Sequence, residues 1–144
     1  TAGGVPASRM WWALNYYGHT NAKVLNGGWE KWFHEGRPVS REIPKVSAPA
    51  FVPATNEDLL CPLDYGKSHV EDSKVLYLDM RSEGEWTGET TRGNKRSGHI
   101  PGAVHLEWTN FMNAEPNRTW KSAAELKALL DAAGVTPDRE VITY

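Results

Sequence analysis

The chain has 144 residues and a formal net charge of -2, with 40% apolar and 24% charged side chains. That length suits one domain's worth of core, and the near-neutral balance excludes a general affinity for nucleic acid or anionic membranes, leaving any anion chemistry to a local cluster. No apolar run approaches the roughly 18 residues of a membrane span and no signal-peptide pattern opens the residues, so a cytoplasmic location is expected.

Pro6 suits a helix start, and Met10, Ala13, Leu14 and Tyr17 follow at helical spacing, with Gly18 as the stop. "AKVLNGG" predicts a short strand over 23–25 and a glycine turn. Trp29, Trp32 and Phe33 line one face of a second helix closed by Gly36. Seven tryptophans are many for this length, and several are expected to line a core or a groove. Residues 37–53 carry four prolines and no helical period, which predicts an extended connector and a domain boundary.

Beyond the connector, "TNED" with Thr55 as N-cap, followed by Leu59, Leu60 and Leu63, predicts a further helix. "KVLYLD" (74–79) has the continuous apolar run of a strand covered on both faces. "AVHLEW" (103–108) is a second strand candidate. "KSAAELKALLDAAG" is the clearest helix, with Ser122 and Glu125 as a capping box and Gly134 as the stop, and "REVITY" (139–144) is a third strand. Strands alternating with helices predict an α/β fold with a mostly parallel sheet flanked by helices.

Three segments, "ASRMWWALNYYGHTNAKVLNGGWEKW", "DMRSEGEWTGE…SGHIPGAVHLEW" and "LKALLDAAGVTPDREVITY", together resemble the rhodanese-like sulfurtransferases, in particular their bacterial tandem two-domain members. The resemblance implies the back half of a first, inactive domain over 1–36, an interdomain linker over 37–53 and the front part of a second, catalytic domain over 54–144. It also implies that the nucleophilic cysteine follows Tyr144 directly, so that no catalytic residue lies in this chain. Two accounts stay open: a piece of a longer protein, or a permuted domain in which the first segment completes the sheet of the second.

In such proteins a thiolate takes a sulfane sulfur from an anionic donor, becomes a persulfide and passes the sulfur to cyanide or a thiol. The thiolate form needs positive charge or converging amides beside it. The resemblance places Arg81 near the donor anion; the alternative is an ion pair with Asp79 or Glu85. Arg92, Lys95 and Arg96 form a basic patch in a glycine-bearing loop, suited to attracting thiosulfate or equally to plain solvation. Glu85 stands where the mercaptopyruvate-using branch commonly has a second arginine, and a glutamate there would repel a carboxylate donor, which favours thiosulfate.

His99 in "GHIPGA" is expected to fix a turn, and His105 to be a packed or edge residue of its strand. Gly3, Gly4 and Arg9 resemble the matching loop of the inactive domain. Cys61 is the one cysteine, which excludes an internal disulfide and a CxxC knuckle; with no basic neighbour until Lys67, it is expected to be structural and half-buried. The histidines show no metal-ligand spacing, and neither metal nor cofactor is expected. The implied partners are thiosulfate, a cyanide or thiol acceptor and the remainder of the same protein, with no nucleic acid and no membrane. Alternatives are a 3-mercaptopyruvate sulfurtransferase and a non-catalytic rhodanese-like binding or regulatory module. A phosphatase of related fold would need a Cys-x5-Arg loop, and the glycines near the N-terminus lack a P-loop ending.

Overall fold

The apolar run at 75–78 organises the fold. In the computed structural model, which describes residues 4–48, 50–114 and 118–144, strand β1 (Val75–Asp79) is buried along its whole length. It lies between β2 (Val104–His105) and β3 (Glu140–Thr143), parallel to both, in the order β2-β1-β3. Parallel neighbours need crossovers, and helices α4 (Glu83–Thr87) and α5 (Ala123–Ala132) lie in the two connections. The α/β class and parallel sheet predicted from the sequence are those observed.

Side chains alternate across β1. Val75 and Tyr77 join Ile142 of β3 in one cluster, with Val70, Ile100, Ala103 and Tyr144 packed around it. Leu76 and Leu78 turn to the other face and are 3% and 2% exposed. Burying each such aliphatic side chain contributes about 1.5–3 kcal/mol. Helix α3 (Leu63–Ser68) is tied to this layer at two points: the Tyr77 hydroxyl donates to the Gly66 carbonyl, and the Tyr65 hydroxyl donates to Glu140 at 2.6 Å. The bond to that carboxylate pushes the Tyr65 phenol up to about 12.

Helix α5 begins and ends as its residues require. Ser122 accepts from the Glu125 amide, and Glu125 reaches back to the Ser122 amide at 2.9 Å. Gly134 then adopts φ +79°, a left-handed conformation that favours glycine.

The chain divides into two compact units, residues 1–60 with 114–119, and residues 61–113 with 120–144. The sheet and its core lie in the second. The first contains α1 (Val5–Tyr16) and α2 (Gly28–His34). There the end of α1 is held to the segment around residue 57: the Trp12 indole donates to the Leu59 carbonyl at 3.2 Å, and the Asn56 amide to the Tyr16 carbonyl at 2.7 Å.

Several expectations are corrected. Residues 23–25 form no strand, since no described strand lies alongside to accept their backbone bonds. The helix expected after Thr55 is a single 3-10 turn, Glu57–Leu59, capped by Asn56. The strand expected over 103–108 keeps two residues before a 3-10 turn at Trp108–Phe111 takes over. No tryptophan is buried; Trp11, Trp12, Trp29 and Trp120 are exposed. Among the described residues no helix is long and apolar enough to cross a membrane.

Candidate functional site

The site is built where β1 and β3 end. Asp79, the last residue of β1, is fully buried. Its carboxylate accepts from the Arg81 amide at 3.0 Å, from Nε at 2.9 Å and from Nη2 at 2.6 Å. An aspartate bonding the amide two residues on forms a turn of its own, which swings Arg81 off the strand axis. Arg81 Nη2 also donates to the Gly98 carbonyl at 2.9 Å, and the guanidinium lies over the Tyr144 ring, 5.2 Å from its centroid. The Tyr144 hydroxyl accepts from the Ile100 amide at 3.0 Å. The end of β3 therefore locks the "GHIPGA" loop to the arginine.

Burial alone would raise the Asp79 carboxyl, but the hydrogen bonds and charge of Arg81 overcome it and hold the group below the usual carboxylate range. The same pairing holds Arg81 above its ordinary value against the opposing effect of burial. Burial pushes the Tyr144 phenol up.

A cavity of about 470 Å³ opens at this point, lined by Arg81, Arg96, Asn94, Ser97, His99 and Tyr144 among others. Among the described residues its lining includes two guanidinium groups and no carboxylate, a composition suited to a small oxyanion. A second, more apolar cavity of about 550 Å³ shares Arg96, Ile100, Pro101 and Tyr144 with the first and extends over Tyr77 and Ile142 to Cys61 and Lys67.

The structure separates the predicted site residues. Arg81 and Arg96 line the first cavity, as does His99. Arg92 does not: its Nε pairs with Glu85 at 3.1 Å. Lys95 is exposed and lines neither cavity. Glu85 is the buried third residue of α4, where it closes a capping box with Ser82; the Ser82 hydroxyl donates to it at 2.8 Å. Those bonds to Ser82 hold its carboxyl below the usual range, with Arg92 adding to the effect. Its charge is thus neutralised locally, away from the cavity lining. Cys61 is exposed rather than half-buried, because it lies on the open edge of the second cavity, ahead of α3.

His99 donates from Nδ1 to the Trp86 carbonyl at 2.9 Å, since a carbonyl oxygen can only accept. Its ring stacks on Trp86 with centroids 3.5 Å apart, and His105 stacks on Trp86 at 5.1 Å. In the first unit Gly4 is the N-cap of α1 with φ +82°, and Arg9 is exposed on that helix; Gly3 lies outside the described residues. Gly88 ends α4 at φ +88°, where an added Cβ would meet the Gly98 amide at 3.2 Å. Glycine there lets α4 approach the loop that lines the cavity.

Sequence reasoning missed Tyr144, Asn94 and Ser97. A signal for Tyr144 existed: two residues beyond the buried Ile142, it shares that residue's face of the sheet.

Residues 63–144 match the rhodanese-like domain family. Over 96% of its length the chain is 36% identical to the sulfur carrier protein TtuD of Thermus thermophilus, covering 52% of that protein. It is 34% identical to a thiosulfate sulfurtransferase of Azotobacter vinelandii, over 99% of this chain and 51% of the relative. The chain thus spans about half the length of these curated relatives. Among solved structures, the anaerobic ergothioneine biosynthesis enzyme from Chlorobium limicola, in complex with trimethyl histidine, superposes with a TM-score of 0.82 at 25% identity, over 99% of this chain and 36% of that one. A 3-mercaptopyruvate sulfotransferase, SseA from Escherichia coli, superposes at 0.81 with 23% identity, over 98% of this chain and 52% of that one, which speaks for the fold. With the match spanning the sheet and every residue of the candidate site, the chain belongs to the rhodanese-like domain family.

Proposed function

We propose that this chain is part of a sulfurtransferase of the thiosulfate:cyanide type, its second unit supplying the anion-binding wall of the active site. In this reading the nucleophilic cysteine follows Tyr144. Its thiolate attacks the outer sulfur of thiosulfate, the S–S bond breaks, sulfite leaves, and a cysteine persulfide remains. Cyanide or a thiolate then takes the sulfur and regenerates the thiolate. Residues 1–36 would be the back half of a first, inactive domain, 37–53 the linker, and 54–144 the front of the catalytic domain.

The observation that carries the reading is the pairing of Arg81 and Arg96 in one lining at the end of β3, with no carboxylate among its described residues. Two guanidinium groups favour a compact dianion and stabilise a neighbouring thiolate. Arg81 can do so while paired to Asp79, because its planar fork has five N–H donors. In this reading Arg96 is the second donor ligand, Lys95 adds to the local field, and Arg92 acts indirectly by neutralising Glu85. Thiosulfate is favoured over mercaptopyruvate because no second arginine stands at position 85 to grip a carboxylate. The sulfurtransferase and sulfur-carrier names of the relatives support the same chemistry.

The test is the intact mass of the complete gene product after thiosulfate loading, before and after cyanide. A loss of about 32 Da, one sulfur, on cyanide treatment is the expected outcome. An unchanged mass would leave a non-catalytic rhodanese-like binding module. In the sulfurtransferase, Arg81→Gln and Arg96→Gln should each raise the thiosulfate KM by about tenfold or more, as expected for loss of a charge-assisted hydrogen bond.

A further inference from the structure

His105 lies on the edge strand β2 and packs on Trp86, as expected, and its ring also makes polar contacts. The register of β2 sets it beside Asp79, so its ring reaches the backbone two residues further along. Nε2 lies 2.9 Å from the Arg81 carbonyl and donates to it. Nδ1 lies 3.1 Å from Oε2 of Glu83, in the first turn of α4, and donates to it when the ring carries both protons. The ring face is covered by Trp86 at an interplanar angle of 12°. Two polar contacts and one stacking contact leave this imidazole a single orientation.

The contacts close a circuit around Arg81. His105 holds its carbonyl and Asp79 holds its amide, so the backbone is fixed on both sides of the residue. Trp86 links His105 to His99. His99 adjoins Gly98, whose carbonyl receives Arg81 Nη2. Ser82, the N-cap of α4, follows Arg81 directly, so a rotation at Arg81 would also disturb the start of that helix.

We propose that His105, oriented by Glu83 and Trp86, is a positioning residue that fixes Arg81 for anion binding. The inference rests on the reading of the Arg81–Arg96 cavity as an oxyanion site. The physical gain is preorganisation: an arginine whose backbone is already set loses less freedom when it takes up a ligand. His105 itself touches no substrate. Nothing in local sequence reveals the role, because the ring acts on a carbonyl 24 positions away.

The variants divide the ring's two contributions. His105→Phe keeps a ring against Trp86 and removes the donor to Arg81; His105→Gln keeps an amide donor and removes the ring. Two readouts on the complete gene product suffice: the Arg81 Nε–H resonance in a proton–nitrogen NMR spectrum, and thiosulfate affinity by titration. His105→Phe should shift or broaden that resonance and weaken thiosulfate about tenfold, as expected for one lost hydrogen bond, and His105→Gln should recover most of both. A shifted resonance with no thiosulfate binding by the wild type would uphold the positioning role and sink the oxyanion reading alone. Wild-type resonance and affinity in His105→Phe would overturn the proposal. If His105→Phe fails to fold, Glu83→Ala serves: it removes the group that orients the ring and should move the Arg81 resonance in the same direction by less, and an unmoved resonance there overturns the proposal equally.

Discussion

Residues 1–60 hold four of the seven tryptophans, Trp11, Trp12, Trp29 and Trp32, yet none of their described side chains is buried, while among the described residues every buried one lies in the second unit. Both units contain amphipathic helices with recognisable ends. The difference is the sheet. In the second unit β1 offers two faces and both are covered, so Leu78 is 2% exposed. In the first, Met10 and Phe33 are 61% and 59% exposed despite regular helical spacing. An apolar stripe states what a helix can bury, and whether it does so depends on a partner surface that its local sequence does not encode.

The largest expected effect tests that contrast directly. Leu78→Ala should lower unfolding stability by about 4 kcal/mol, since a buried leucine loses both its transfer energy and its packing. Met10→Ala should change it by less than about 0.5 kcal/mol. Urea unfolding of the two variants decides. Comparable losses would show that the first unit shares the cooperative core.

The buried charge comes next. Asp79→Asn should cost about 2 kcal/mol at neutral pH, because it removes a buried anion's charge-assisted hydrogen bonds from the partly exposed Arg81. The Asp79 carboxyl is held below its ordinary value in the folded protein. Its contribution is therefore complete above the unfolded carboxylate value of about 4 and is lost as pH falls through the lower folded value. The stability gap between wild type and Asp79→Asn should be constant from neutral pH down to about 4 and close below it. A gap that persisted in stronger acid would assign the cost to shape rather than charge.

These two residues also mark what could be read in advance. The run 75–78 needed no context, because continuous apolar residues bounded by polar ones describe a covered strand. The Asp79–Arg81 pair spans two positions and was open to reading as an ion pair. The Ser122–Glu125 box was legible, and the same spacing at Ser82 and Glu85 announces α4, although the surrounding charges draw attention to binding instead. The false strand over 23–25 failed for the reason that leaves Met10 exposed: pairing is a long-range property. The cavity was legible only in its arginines. The Ile100–Tyr144 bond spans 44 positions and the Arg81–Gly98 bond spans 17, and no local pattern encodes either closure.

The smallest expected effect compares two caps. Ser122 accepts the Glu125 amide at the start of α5, and Asn56 accepts the Asp58 amide at 3.2 Å in the 3-10 turn of the first unit. Chemically the two bonds are alike: a side-chain oxygen satisfies an amide that the first turn leaves open. Ser122→Ala should nonetheless cost about 1 kcal/mol, because α5 lies in the crossover between β2 and β3 and its fraying is felt by the sheet. Asn56→Ala should leave global stability unchanged within about 0.3 kcal/mol, since three residues of 3-10 turn with no buried side chain can open without exposing a core. Hydrogen exchange gives the sharper readout. In Ser122→Ala the amides of β3 should exchange faster along with those of α5. In Asn56→Ala the change should be confined to residues near 58. Faster exchange in β1 after Asn56→Ala would mean that the first unit, exposed as its side chains are, is energetically part of the second.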